Sequence, residues 1–306
     1  MRGRRRAGCA TSVVCDAAGR LEGMTTTLAI VGATGKMGRL FGEIAEASAE
    51  YEVVSRLDSR SALDEMLGAD VVVDVSVPGV TQSVVEFAVQ HGKQVLVGTS
   101  GWSADRLAGL RRALGDPPSS GVVVIPNFSL GSVLATSFAA MAARFYDSIE
   151  VIEAHAATKV DSPSGTAVRT AELMQAARAA RGPVSAPHSD QRARGQQVAS
   201  IPVHSLRLAG IVAKQDVVFG GTGEVLTITH ETISPSAYAA GIRVALAAAR
   251  TARGLVVGLD ALLDLDGTGA SGGGAGAGGG SGSAAQSAPE PENVSGQAAT
   301  ATSVTS

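Results

Sequence analysis

The sequence predicts an α/β protein: a doubly wound parallel sheet followed by a second α+β domain with an open mixed sheet. Three features predict it. Short β-branched runs alternate with helix-length amphipathic segments from Leu28 to Phe128, the pattern of βαβ units. The first run opens into a glycine-spaced turn, Gly32-Ala33-Thr34-Gly35-Lys36-Met37-Gly38. After Phe145 the rhythm changes to strand runs with a hairpin signal.

The first-domain strands are TLAIV (27–31), YEVVSRL (51–57), DVVVDVS (70–76), QVLVG (94–98) and GVVVIP (121–126). They are apolar almost throughout, as strands covered by helices on both faces must be. A helix at about Ser129 to Phe145 follows, then SIEVIEAHA (148–156) and a helix from Gly165 to about Ala180. The strand runs VHSLRLAG (203–210), QDVVFG (215–220) and EVLTITHE (224–231) complete the second domain, with GGTGE as a hairpin turn between the last two. GIRVALAAAR (241–250) is expected to return as a helix to the first domain. The boundaries are therefore 24–128 with 235–266 for the first domain and 129–234 for the second. No internal repeat is visible.

Both ends differ from this middle. Residues 1–23 open with Arg2, Arg4, Arg5 and Arg6 and stop just before Met24; a true start at Met24 would account for them. From Gly267 onward Gly, Ala, Ser and Thr dominate and only Glu290 and Glu292 are charged. Such a composition cannot bury enough apolar surface to offset ordering entropy, so a disordered tail is expected. The stretch AGCATSVVCDAA is short for an export signal and contains Asp16. The charge-free window between Asp116 and Arg144 is broken by Pro126 and Asn127 and changes period midway, which fits a buried strand and a buried helix rather than a membrane span. Cys9 and Cys15 both lie in the extension, so the folded region has no disulfide and a reducing, cytoplasmic setting is expected. A net charge of −3 and 3% aromatic content lack the basic, stacking surface of nucleic-acid binding. The expected partner is a small molecule.

Glycines at a strand-to-helix turn let backbone N–H groups approach a pyrophosphate at a helix N-terminus. Leu40, Phe41, Ile44 and Ala45 at helical spacing supply that helix, which makes the first domain Rossmann-like. The spacing is GxxGxxG, with Thr34 where the commoner fingerprint has its second glycine. A phosphate loop of the Walker type is excluded, because Ile30 stands at its first glycine and Met37 where Ser or Thr would hold magnesium. Asp58, at the end of the second strand, suits the adenosine ribose hydroxyls and would repel the extra phosphate of NADP. Arg56, Arg60 and Lys36 offer a cationic patch for that phosphate, so NADH and NADPH both stay open.

Residues 153–167 read EAHAATKVDSPSGTA. The segment resembles the motif E-x-H-H-x-x-K-x-D-x-P-S-G-T-A of the dihydrodipicolinate (4-hydroxy-tetrahydrodipicolinate) reductase family, and the resemblance spans about Leu28 to Leu265. It implies NAD(P)H-dependent reduction of 4-hydroxy-tetrahydrodipicolinate to tetrahydrodipicolinate with loss of water, in lysine and diaminopimelate biosynthesis. No metal-ligand cluster is visible in the sequence, so no metal is expected. By position it implies that His155 is catalytic, that Lys159 donates a proton, and that Ser164, Gly165 and Thr166 bind a substrate carboxylate. It implies coenzyme contacts from Gly32, Ala33, Thr34, Gly35, Lys36 and Met37, from Gly98, Thr99 and Ser100, and from Ile125, Pro126, Asn127 and Phe128. GLVVGLDALLDL (254–265) matches the family's usual end. The second domain would bind substrate and build a homotetramer.

The chemistry is consistent without the name. A cyclic unsaturated dicarboxylate needs an anion site, a cation or acid beside its skeleton and a hydride source; a helix N-terminus at Ser164 to Thr166, Lys159 and the coenzyme supply them. Two positions depart from the pattern: Ala156 replaces the second histidine, with Ala157 and Thr158 following, and Pro235 stands where many relatives have arginine. Two other readings stay open, a reductase of another small dicarboxylate and a coenzyme-binding sensor, the latter disfavoured because His155, Lys159 and the PSGT turn all persist. His91, His188, His204 and His230 are expected to be structural or solvated. GTSG (98–101) lacks the spacing of a nucleophile elbow.

Overall fold

A computed structural model describes residues 25–263. The basic extension with its two cysteines, the expected start at Met24 and the glycine-rich tail lie outside the described residues.

Strands β1 (Thr26–Val31), β2 (Tyr51–Leu57), β3 (Val71–Asp74), β4 (Gln94–Val97) and β5 (Gly121–Val124) form a parallel sheet, connected by helices α1 (Lys36–Glu46), α2 (Thr81–Gln90) and α3 (Ala104–Leu114). Strict alternation within the strands builds two cores. Leu28, Ile30, Val73, Leu96 and Val123 pack with Phe41 and Ile44 of α1 on one face. Ala29, Val31, Val72, Val95 and Val122 pack with Val84 and Val85 of α2 and Leu110 of α3 on the other. Burial on both faces is why these runs carry almost no charge.

After β5 the chain leaves the sheet through α4 (Leu130–Ala142) and forms β6 (Ser148–Ala156), α5 (Gly165–Ala177), β7 (Gln196–Val198), β8 (Ile201–Leu208), β9 (Ala213–Gly221) and β10 (Glu224–Thr232). The second sheet has the order β10-β9-β6-β8-β7, with β6 parallel to β8 and antiparallel to β9. The expected hairpin joins β9 to β10 through Thr222 and Gly223, the latter at φ +80°. Ile149 and Val151 of β6 and Phe219 of β9 pack against Ala139 of α4 and Ala171 and Met174 of α5. The opposite face is left open, with Ile152, Leu206, Leu208 and Val225 exposed.

Helix α6 (Ala239–Thr251) returns to the first sheet, where Ile242, Ala245, Leu246 and Ala249 join the core beside α1. A strand not read from the sequence, β11 (Gly254–Val257), then pairs in parallel with β5, giving the order β11-β5-β4-β3-β1-β2; a short helix, Asp260–Leu263, follows. Strand order reverses between β1 and β3. Open α/β sheets bind ligands at the carboxyl ends of strands flanking such a reversal.

Candidate active site

All the loops singled out for coenzyme binding leave carboxyl ends of first-sheet strands: Gly32 to Met37 after β1, Asp58 after β2, Gly98-Thr99-Ser100 after β4 and Ile125-Pro126-Asn127-Phe128 after β5. The glycines are required by close packing. Gly32 has φ +86°, and a Cβ on it would lie 2.5 Å from Val75 O; a Cβ on Gly38 would lie 2.3 Å from Gly32 O. Helix α1 therefore begins hard against β1. Its N-cap, Gly35, supplies no side-chain acceptor, whereas the hydroxyls of Ser103, Ser129 and Ser164 cap α3, α4 and α5. The first N–H groups of α1 thus have no capping side chain, the arrangement that suits the diphosphate of a dinucleotide.

The residues chosen from these loops differ in what they offer. Thr34, Gly35 and Lys36 are exposed. Ala33, Thr99, Ile125 and Phe128 are buried and present backbone rather than side chain. Thr99 Oγ1 donates to Asp74 O at 3.3 Å, and the Phe128 ring meets Phe41 edge-on at 5.4 Å. Asp58 Oδ1 accepts from the Arg60 N–H at 2.8 Å. Of the three cations expected beside it, the Arg56 guanidinium pairs with Glu46 and lies over Gly42.

The facing wall comes from β6 and α5. On β6, Ile149 and Val151 point into the core, and the same face continues through Glu153 to His155. The Glu153 side chain is wholly buried. It accepts two hydrogen bonds from Arg207, at 2.9 Å each, one from His155 Nδ1 at 2.6 Å and one from the Ser164 N–H at 3.1 Å. Burial by itself raises its pKa, but the hydrogen bonds, that of Arg207 foremost, outweigh burial and hold the carboxyl below the usual range. Lys159 Nζ lies 2.8 Å from Asp161 Oδ1, and that hydrogen bond holds the Asp161 carboxyl low. Ser164 caps α5 by accepting from the Ala167 N–H.

Between the walls lies a cleft of about 400 Å³, within the usual range for small-molecule sites. Lys36, Met37, Gly98, Pro126, Asn127 and Phe128 line one side and His155, Lys159, Ser164 and Thr166 the other. Gly32, Ala33, Thr34, Gly35, Asp58, Thr99, Ser100, Ile125 and Gly165 are not among its lining residues. Among the lining residues not singled out as functional from the sequence are Gln215 of β9 and His230 of β10. Lys214 borders the cleft too, but strand alternation turns its side chain to the other face, where it pairs with Asp216. His230, expected to be structural or solvated, is paired with Gln215, which is paired with Glu153, so strand alternation turns it to the side of Glu153 and His155. Pro235, the second departure, begins a 3-10 turn (Pro235–Tyr238) whose Tyr238 reaches the cleft; proline suits a first helical position. Ala156 closes β6 with no second imidazole.

A dinucleotide loop facing a histidine and lysine beside a helix N-terminus defines an NAD(P)H-dependent oxidoreductase. Residues 26–128 match the family model for the dihydrodipicolinate reductase N-terminus and residues 131–263 that for its C-terminus: the chain belongs to the dihydrodipicolinate reductase family. It is 70% identical over 245 residues to a 4-hydroxy-tetrahydrodipicolinate reductase of Clavibacter michiganensis subsp. michiganensis, covering 80% of this chain and 88% of that protein. With its counterpart from Streptomyces griseus subsp. griseus the identity is 42% over 247 residues, covering 78% and 98%. A dipicolinate-bound dihydrodipicolinate reductase from Paenisporosarcina sp. TG-14 has a similar structure, with TM-score 0.66 and 28% identity over 78% of this chain and 99% of that one.

Proposed function

We propose that this protein reduces 4-hydroxy-tetrahydrodipicolinate with NAD(P)H and a proton, giving tetrahydrodipicolinate, water and oxidised coenzyme, in lysine and diaminopimelate biosynthesis. One observation carries the reading: coenzyme-loop residues Lys36, Met37 and Gly98 share a cleft with His155, Lys159, Ser164 and Thr166. The bound coenzyme supplies the hydride. Backbone N–H groups at Gly165 and Thr166, with the Ser164 hydroxyl, hold a substrate carboxylate at the start of α5. Lys159 delivers the proton, and His155 orients and polarises the ring beside it.

NADH is the expected coenzyme. The Asp58 carboxylate, steadied by the Arg60 N–H, accepts hydrogen bonds from a ribose diol and repels a phosphate there, while Arg56 is engaged by Glu46. The apolar open face of the second sheet and a groove of about 910 Å³ lined by Phe138, Met141 and Phe145 support a homotetramer built through residues 129–234, with 24–128 and 235–266 forming the coenzyme domain. No helix among the described residues is long and apolar enough to cross a membrane, in keeping with a cytoplasmic enzyme.

The test is a coupled assay in which pyruvate and aspartate semialdehyde are condensed in situ by the preceding synthase while NADH or NADPH absorbance is followed. Oxidation dependent on all components, faster with NADH, is expected. Retained NADH binding with turnover of another small dicarboxylate and none of this one would replace the proposal.

A further inference from the structure

We infer that Glu153 is a positioning residue of this site: its buried carboxylate fixes which nitrogen His155 presents to the cleft and, together with Arg207, ties that imidazole to the turn that seats the substrate. The inference relies on the reductase reading for what the cleft binds, and on the geometry alone for the rest.

An ionised carboxylate only accepts hydrogen bonds. The Glu153 oxygens, wholly buried, receive Arg207 Nη1 and Nη2, the Ser164 N–H and His155 Nδ1. The proton in the 2.6 Å contact therefore sits on Nδ1 of His155. Nε2 is left as the nitrogen that no protein group engages among the described residues, on a side chain that lines the cleft. Arg207 Nη2 also donates to Asp161 O at 2.6 Å, inside the segment that carries Lys159. One carboxylate thus sets His155, the backbone near Lys159 and the N-cap of α5. Orienting a base through its second nitrogen by a buried carboxylate is an established way to select a tautomer. A charge pair serving stability alone would not touch the imidazole, and this one does.

The test is ¹⁵N NMR of histidine-labelled protein at about pH 8.5, where the neutral tautomer is read, with the signal of His155 identified by its loss in His155→Ala. The wild type is expected to carry its proton on Nδ1, and Glu153→Gln to redistribute it. Glu153→Gln is expected to lower kcat about 100-fold and raise the dicarboxylate KM about tenfold, with the NADH Kd changed less than about twofold. In a His155→Ala background the same substitution should slow turnover by about tenfold or less further, well short of the loss it causes alone. Residues acting as a unit are not additive, and only the arms through Arg207 and Ser164 remain to be lost. A wild-type His155 protonated on Nε2, or losses that multiply in the double variant, overturns the inference. Should Glu153→Gln not fold, the wild-type spectrum still decides. A wild type that ignores the dicarboxylate removes the reductase reading while leaving that spectrum to judge Glu153.

Discussion

Ser129 Oγ lies 3.2 Å from Nε2 of His230, joining the N-cap of α4 to the last strand of the second sheet. Ser129 Oγ already accepts from the Ser132 N–H, while Asn127 Oδ1 accepts from the Ser129 N–H and Asn127 Nδ2 donates to Ser132 Oγ. The Ser129 proton is left for a neutral imidazole, and burial pushes His230 below its usual range. The unfolded chain then takes up this proton first. Stability is present above the unfolded value of about 6.5 and is lost as pH falls from there through the lower folded value. Glu150 and Glu153 are held low and affect stability only in more acid solution. Urea midpoints measured between about pH 7.5 and 5.5 should fall for the wild type and fall less for His230→Gln. Parallel curves for the two proteins would show that His230 does not titrate as argued.

Lys159 lies on the wall opposite the glycine loop, and Asp161 anchors its ammonium at 2.8 Å. Lys159→Ala should therefore spare coenzyme binding and slow turnover by about 10²- to 10⁴-fold, the range for a positioned proton donor. Fluorescence titration with NADH and single-turnover kinetics separate the two effects. Turnover equal to wild type would remove Lys159 from the mechanism.

How much of this was legible depended on where the information sits. The first five strands of the first sheet were visible: β1, β3, β4 and β5 because burial on both faces demands continuous apolar runs, and β2, at the sheet edge, through its alternation of part-buried and exposed residues. β7 has three residues, too few to impose a period, and β11, GLVV, lies in a segment read only as the family's usual ending. The strand-to-helix turn at Gly32 to Gly38 was legible because glycine spacing encodes backbone geometry directly. Arg207 was not: it meets Glu153 only through the β6–β8 register, in which Glu153 pairs with Ser205 and His155 with Arg207. Its sequence separation of 54 residues hides that contact. Yet the alternation of Ile149, Val151, Glu153 and His155 carried a readable sign. A carboxylate on the core-facing side of a strand is costly unless paired, so it points to a partner that the sequence does not identify.

Gly165 separates packing from binding. A Cβ there would meet nothing within 4 Å, so neither fold nor turn requires glycine, and the open space is where a substrate carboxylate would approach the start of α5. Alanine is the better helix former, by up to about 1 kcal/mol in a helix interior. Gly165→Ala keeps the N–H but puts a methyl in the space from which the carboxylate would reach it. Tm should therefore be unchanged or higher while the substrate KM rises about tenfold, a displaced hydrogen bond to a charged group costing about 1.5 kcal/mol or more. An unaltered KM would mean that the carboxylate sits elsewhere.

Gly38 makes the opposite case within α1. Helix propensity alone favours alanine there by about 1 kcal/mol, but the added methyl would lie 2.3 Å from Gly32 O and 2.7 Å from Ala33 Cα. Both obstacles are backbone of the coenzyme turn, so relief requires α1 to move away from β1. Overpacking of this kind costs about 1–3 kcal/mol. The same movement would carry the N–H groups of Lys36 and Met37 away from the proposed diphosphate position. Gly38→Ala should lower Tm and raise the NADH Kd by about tenfold or more, the factor that corresponds to about 1.4 kcal/mol. Gly42, one turn further along α1, is the internal control, since its added methyl would meet the guanidinium of Arg56 at 2.6 Å, a flexible side chain able to swing aside. Gly42→Ala should loosen the Arg56–Glu46 pair and leave NADH affinity within about twofold. If calorimetric titration gave the two variants the same loss, weakened helix packing in general, rather than close approach of α1 to the turn, would be what coenzyme binding depends on.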